Sequence, residues 1–158
     1  MRIKNPESGQ SLIEVLIALA ASVAIVAAIA VTVITSLSNV EFTKNQNLAT
    51  QYSGEGLELV RQKAKDNWSY FSSHYTSVYY CLDSNDNLSV MVGSCSQNVG
   101  IFKRQIQIFQ NDTTKCNGNT KIISTVLWSD SKCLSTDAFC HEIELDTCLA
   151  DINPIQGP

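Results

Sequence analysis

The chain has 158 residues, a mass of 17.3 kDa, a formal net charge of −4 and a pI of about 5.0. This length suits one compact domain together with one membrane helix. An acidic chain has no overall charge that would attract a polyanion, so nucleic-acid binding driven by net charge is disfavoured.

The first element is an apolar run close to the N-terminus. Residues 15–34 are Val, Leu, Ile and Ala, apart from Ser22 and Thr32, and none is charged. Twenty helical residues span about 30 Å, which is the thickness of a bilayer's hydrocarbon core. We therefore predict a membrane helix from Leu12 to about Leu37. Glu14 stands at the start of this run between apolar neighbours, where a carboxylate is costly and needs a reason.

The flanking charges predict an orientation for this helix. Arg2 and Lys4 precede the run, and Glu41 is the first charge after it. The positive-inside rule then leaves the N-terminus in the cytoplasm and the remaining chain outside. A secretory signal peptide and an uncleaved signal anchor are the alternatives, although the apolar core of a signal peptide is shorter, at about 7–15 residues.

The residues around the start of the run carry a family resemblance. A short charged leader is followed by a specific motif and a long apolar helix; the motif reads Gly9-Gln10-Ser11-Leu12-Ile13-Glu14-Val15. It resembles the class III signal of type IV prepilins and pseudopilins over about the first forty residues. The resemblance implies cleavage after Gly9 by a prepilin peptidase, with Gln10 as the first mature residue and its N-methylation site. Two positions depart from the family: Gln10 replaces the usual Phe or Met, and Val31 replaces a proline found in many pilins.

The same resemblance implies a role for Glu14. The amine of Gln10 in one subunit would meet the Glu14 carboxylate of a neighbour and set the axial register, because charges are weakly screened in lipid. The alternative is a carboxylate without a partner at the headgroup boundary. An N-terminal glutamine can also cyclise, which would remove the amine. The implied partners are other pilin subunits, prepilin peptidase, an assembly platform protein and its ATPase.

The helix is predicted to continue to about Asp66 and to become amphipathic. Apolar and small residues recur on one side at helical spacing, namely Leu48, Ala49, Tyr52, Gly56, Leu59 and Val60. Gly54 and Gly56 mark either a close approach of a sheet or a soft point in the helix. We assign residues 1–9 to the leader, 10–39 to the transmembrane and filament-core helix, 40–67 to its amphipathic half and 68–158 to an extracytoplasmic head.

The head is predicted to be an antiparallel sheet. Five segments have strand composition: Tyr75–Leu82, Leu88–Val92, Phe102–Gln110, Lys121–Ser129 and His141–Thr147. The fourth is apolar on both faces and is expected to be central. The fifth alternates, with Ile143 and Leu145 inward and carboxylates outward. Trp68 is expected to fold back as an anchor. The predicted fold is α+β: a long N-terminal helix packed on a small antiparallel sheet, pilin-like as the resemblance implies.

All six cysteines follow the apolar run. An even number on the exported side indicates disulfides in an oxidising compartment, and unpaired thiols in a cytosolic protein are the alternative. Six cysteines allow fifteen pairings, and sequence alone does not select one. Their positions beside the predicted turns favour three pairs: Cys81 with Cys95, Cys116 with Cys148, and Cys133 with Cys140.

Metal and nucleic-acid sites are weakly indicated. Asp83, Asn85 and Asn87 have the alternate spacing of a calcium loop, but Leu88 stands at the sixth position, where an EF-hand has glycine. An Asx-rich turn is favoured instead. A zinc set drawn from Cys133, Cys140, His141 and Cys148 competes poorly with disulfides. The adjacent Lys103 and Arg104 form either a small DNA-contacting patch or a solvated face.

These observations predict a structural subunit and not an enzyme. The sequence has no nucleophile elbow, phosphate-binding loop or zinc-protease motif, so we expect no cofactor and no metal. The predicted function is that of a minor pilin or pseudopilin in a type IV pilus or a type II secretion-like filament. The alternatives are a signal-anchored extracytoplasmic binding domain that does not polymerise and, third, an extracytoplasmic enzyme.

Overall fold

A computed structural model describes residues 10–75, 78–130, 132–134 and 138–150, without the side chains of residues 10 and 11. The predicted leader and the last eight residues lie outside these ranges. The elements in chain order are helices α1 (Gln10–Asp66) and α2 (Trp68–His74), followed by strands β1 (Tyr79–Leu82), β2 (Leu88–Val90), β3 (Lys103–Asp112), β4 (Asn119–Trp128) and β5 (His141–Leu149). The chain divides into two units, Met1–Thr43 and Lys44–Pro158, and α1 contributes to both.

The second unit contains a five-stranded sheet with the order β2-β1-β3-β4-β5, in which all neighbours are antiparallel. The predicted layout of a long N-terminal helix and an antiparallel sheet is confirmed. The prediction that Lys121–Ser129 forms the central strand is wrong by one place, because β3 occupies the middle. One face of β4 is buried, while the other is only half-buried and carries Ile123 and Leu127.

The part of α1 in the second unit packs on this sheet through a narrow stripe of mostly small residues. The stripe recurs every three or four positions and consists of Asn45, Ala49, Ser53, Gly56, Val60 and Ala64. Leu48, Tyr52 and Leu59 flank it and are half-buried. The Ser53 hydroxyl donates to the backbone carbonyl of Ser124 at 2.8 Å, which joins the helix to β4. Small side chains thus allow the helix backbone to approach the sheet closely.

The two helical glycines differ in their surroundings. A Cβ at Gly56 would lie 2.8 Å from Ser124 Oγ, 3.0 Å from Ile106 Cδ1 and 3.4 Å from Leu82 Cδ2. A Cβ at Gly54 would meet nothing within 4 Å. Gly56 is therefore the point of close approach, whereas Gly54 has no contact that requires glycine.

Alanine at the two positions is expected to have opposite effects on stability. Gly54→Ala should raise the free energy of unfolding by up to about 1 kcal/mol through helix propensity. Gly56→Ala should lower it by about 1 kcal/mol, because overpacking of a buried site outweighs the same gain in propensity. Denaturant unfolding of the full chain in detergent micelles, followed by tryptophan fluorescence, measures both. Equal stabilisation by the two variants would contradict the close packing at Gly56.

Helix α2 occupies residues 68–74, for which the sequence predicts only that Trp68 folds back as an anchor. The Asn67 side chain accepts a hydrogen bond from the backbone N–H of Tyr70 at 2.9 Å and caps the helix N-terminus. Phe71 is buried, and Trp68 packs against the core as the predicted anchor. Tyr75 caps the C-terminal end of α2, so the prediction of a strand from Tyr75 is wrong and β1 begins only at Tyr79.

Three disulfides connect the strands of the sheet and the loops between them. Cys81 pairs with Cys95, Cys116 with Cys148, and Cys133 with Cys140, the same pairs that the predicted turns favour. Cys116 lies in the β3–β4 turn, which Asp112 organises. The backbone N–H of Lys115 and the hydroxyl and N–H of Thr114 donate to the Asp112 carboxylate, and these hydrogen bonds lower the pKa of that carboxyl from 3.8 to about 2.

Candidate functional site

The part of α1 in the first unit exposes an almost unbroken apolar surface. From Leu12 to Val40, each large hydrophobic residue keeps a fractional exposure of at least 51%; they are Leu12, Ile13, Val15, Leu16, Ile17, Leu19, Val23, Ile25, Val26, Ile29, Val31, Val33, Ile34, Leu37 and Val40. Soluble monomers rarely expose apolar patches larger than a few hundred Å². A surface of this kind indicates contact with a lipid phase or with another protein.

This segment satisfies the length and composition of a membrane span. Within the described residues, one helix qualifies; its most apolar window has a mean hydropathy of 2.8, and none of that window is buried. The core helix of a soluble domain would be mostly buried, so that explanation does not fit. A membrane anchor and a signal sequence share these properties.

Three hydroxyl groups in this segment form hydrogen bonds within the helix itself. Ser22 donates to the carbonyl of Ala18 at 2.8 Å, and Thr32 and Thr35 donate to the carbonyls four residues earlier at 2.9 Å. In hydrocarbon a polar group without a partner costs several kcal/mol, on the order of the full desolvation penalty. These bonds remove that cost, so Ser22, Thr32 and Thr35 are compatible with an apolar environment.

Glu14 is the single ionisable side chain between residues 10 and 40. It lines a shallow groove on the helix surface together with Ile13, Ile17, Ala18 and Ala21. Glu14, Ala18 and Ala21 lie four and three residues apart and therefore share one face of the helix. Small side chains allow a second helix to approach closely in lipid. The carboxylate thus stands beside a surface that can admit another backbone.

The predicted cleavage site lies largely outside the described residues. Gly9 precedes them, and Gln10 is the first residue of α1. Cleavage after Gly9, methylation of Gln10 and the pairing of its amine with Glu14 stay predictions.

Arg104 of the adjacent basic pair is buried in the second unit. Arg104 is 2% exposed, and its guanidinium donates to the carbonyls of Leu82 at 3.2 Å and Asp83 at 2.6 Å. Its nitrogens also lie 3.7 Å from a Glu55 carboxylate oxygen and 3.6 Å from one of Asp86. Burial lowers the pKa of Arg104, and the neighbouring carboxylates partly offset this effect. The buried Arg104 therefore belongs to neither of the two alternatives that the sequence left open, a DNA-contacting patch or a solvated face.

Asp83, Asn85 and Asn87, which have the alternate spacing of a calcium loop, form a turn. The Asp83 carboxylate accepts hydrogen bonds from the backbone N–H groups of Asn85 at 2.8 Å and Asn87 at 2.9 Å, and from the Asn87 side-chain amide at 3.2 Å. The bonds from Asn87 contribute most to lowering the pKa of Asp83. Both carboxylate oxygens are occupied by the turn itself, which is the arrangement of the favoured Asx-rich turn.

A cluster of potential metal ligands lies between β4 and β5. Within the described ranges, one such group occurs: the ligand atoms of Asp130, Cys133, Cys140 and His141 all lie within 4.8 Å of one another. His141 Nε2 is 3.2 Å from Asp130 Oδ1. Cys148, a member of the zinc set that the sequence disfavours, is bonded to Cys116, and Asp130 lies in the cluster instead. With Cys133 and Cys140 joined, their sulfurs are not thiolates.

Comparisons with known proteins identify no relative of this chain. No family model matches the chain, and neither the curated proteins nor the solved structures that were searched contain a significant match.

Proposed function

We propose that the chain is a structural subunit, a minor pilin or pseudopilin, of a type IV pilus or a type II secretion-like filament. The observation that carries the proposal is the exposed apolar part of α1, in which Glu14 is the single ionisable side chain between residues 10 and 40 and which begins at the Gly9-Gln10 motif. A helix of this kind can exchange lipid for the helices of other subunits. The second unit has its own hydrophobic core and three disulfides, as suits a domain displayed outside the cell.

The proposal includes a route from membrane to filament. The subunit first spans the cytoplasmic membrane once, with its N-terminus inside and the head outside, as the basic leader favours. A prepilin peptidase removes residues 1–9, and Gln10 is methylated. An assembly ATPase and its platform protein then move the subunit from the bilayer into an extracellular or periplasmic filament, where helices of neighbouring subunits surround α1.

Processing tests the first step of this route. Gly9→Val is expected to abolish cleavage when the chain is co-expressed with a prepilin peptidase, because the bulky side chain stands directly before the bond to be cut. The measurement is the mass of the full chain extracted from membranes, which should lack nine residues in the unsubstituted protein. Ser8→Val is the matched control and should still be cleaved.

Retention of Met1 in the unsubstituted chain would favour the anchored binding domain that does not polymerise. A new N-terminus near residue 37 would instead indicate a secretory signal. Either result would overturn the proposed processing.

A further inference from the structure

The cluster between β4 and β5 contains the side chains of a zinc site, but its two sulfurs are joined in a disulfide and are not thiolates. Cys133 and Cys140 supply two sulfurs, His141 an imidazole and Asp130 a carboxylate. Two thiolates, an imidazole and a carboxylate are ligands that Zn²⁺ accepts in tetrahedral sites. We propose that reduction of the Cys133–Cys140 bond converts this cluster into a Zn²⁺ site. The proposal does not depend on the filament role.

The distances between the ligand atoms of the cluster are close to those around a tetrahedrally coordinated Zn²⁺. Bonds of about 2.0–2.3 Å from zinc to its ligands place neighbouring ligand atoms about 3.3–3.8 Å apart. Asp130 Oδ1 lies 3.2 Å from His141 Nε2 and 3.9 Å from Cys133 Sγ, and no two ligand atoms of the cluster are more than 4.8 Å apart. Small movements of side chains therefore suffice to complete the shell after the sulfurs separate.

The backbone already holds the carboxylate in place. Asp130 Oδ1 accepts a hydrogen bond from the backbone N–H of Lys132 at 2.8 Å, and the N–H of Asp130 lies 3.4 Å from Cys133 Sγ. His141 is the first residue of β5 and pairs in register with Trp128 of β4, whose ring lies 5.3 Å from the imidazole. Two of the four ligands thus come from ordered positions of the sheet and its turn, as a preorganised site requires.

Both cysteines of this disulfide are partly accessible to a reductant, although Cys148 of the Cys116–Cys148 bond is the more exposed single residue. Cys133 and Cys140 are both half-buried, whereas each of the other two bonds has one buried partner, Cys95 at 5% and Cys116 at 3% exposure. A dithiol would supply two electrons and two protons to give two cysteine thiols, and would itself close to a disulfide. Zn²⁺ then displaces the two thiol protons as it binds. The disulfide and the metal site are therefore mutually exclusive states of one loop.

Cobalt substitution in the full chain, held in detergent micelles, tests the proposal. A phosphine is the reductant, since it does not offer thiols to the metal; it becomes a phosphine oxide and takes its oxygen from water. Co²⁺ added to the reduced chain should give the visible absorption of a tetrahedral site together with a thiolate-to-cobalt charge-transfer band. One equivalent of Zn²⁺ should abolish both, and the oxidised chain should show neither.

Variants separate this site from the other cysteines. The double variant Cys133→Ser/Cys140→Ser keeps four cysteines and should lose the signal. His141→Gln should weaken Zn²⁺ binding by at least tenfold, because even the loss of a partner outside the ligand shell costs about ten- to a hundredfold in affinity. His74→Gln, the matched histidine control, should leave it unchanged. The proposal is overturned if the reduced chain binds no more metal than the double variant, or if His141→Gln binds as tightly as the unsubstituted chain.

Discussion

Replacing Arg104 with methionine is expected to lower the free energy of unfolding by about 1.5–3 kcal/mol, the range measured for hydrogen bonds that involve a charged group. The guanidinium links its own strand β3 to two other parts of the second unit: the end of β1 and the turn that follows it, through the carbonyls of Leu82 and Asp83, and α1, through Glu55. Methionine fills a similar length without donating, so the carbonyls of Leu82 and Asp83 lose their charged donor. Denaturant unfolding of the full chain in micelles, without reductant, measures the loss.

Arg61→Met is the matched control for this substitution. Arg61 pairs with Glu58 at 2.7 Å, but both side chains are largely solvated, at 39% and 62% exposure. An exposed pair three residues apart in a helix contributes only about 0.3–0.5 kcal/mol. If the two variants lost the same small amount of stability, the buried guanidinium would not be the link that the geometry indicates.

Glu14→Ala is expected to reduce incorporation of the subunit into filaments by at least tenfold, while cleavage after Gly9 continues. A tenfold loss corresponds to about 1.4 kcal/mol, a modest requirement for a charge pair in a medium of low dielectric constant. The reason is that Glu14 would supply the single charge through which an otherwise apolar helix recognises its axial position. The measurement is the ratio of subunit in sheared filaments to subunit in membranes, obtained by quantitative mass spectrometry.

Glu41→Ala removes a carboxylate of the same chemistry from the same helix, beyond the apolar run. It should leave incorporation unchanged, because position 41 lies where water or headgroups can solvate a charge. Equal incorporation of the Glu14 variant and the unsubstituted chain would exclude the register role. Equal loss in both variants would show that the effect comes from net charge and not from position.

Periodicity in the sequence predicts most of the sheet. The strict alternation of β5 places Ile143 and Leu145 on the inner side and carboxylates on the outer, and the structure has the same pattern. The disulfide pairs agree with the strand order. Because β4 and β5 are antiparallel, the end of β5 with Cys148 lies beside the β3–β4 turn that holds Cys116.

The errors have identifiable physical causes. The aromatic and serine residues of α2 have low helix propensity, and the signal for the helix was the capping Asn67 directly before Trp68. Because Arg104 follows Lys103, the sequence suggests an exposed basic pair. Arg104 nevertheless lies two residues from both Phe102 and Ile106, and alternation along a strand places all three on the inner face of the sheet. The position of Arg104 in the alternating pattern of the strand therefore predicts its burial better than its charge does.

Two features depend on contacts that no local pattern contains. Asp130 lies close to His141 because β4 and β5 pair as far as Trp128 and His141, so the spacing of the cysteines did not indicate it. The partner of Glu14 would come from a second chain. Sequence can show that this carboxylate is costly in an apolar run, but not which positive group offsets the cost.

The most direct test is the mass of the chain in filaments sheared from cells that make it. The proposed function predicts a filament-associated subunit that begins at Gln10, either unmodified, methylated or cyclised. A chain that keeps Met1 and stays in the membrane fraction, while filaments of the same cells lack it, would contradict the account.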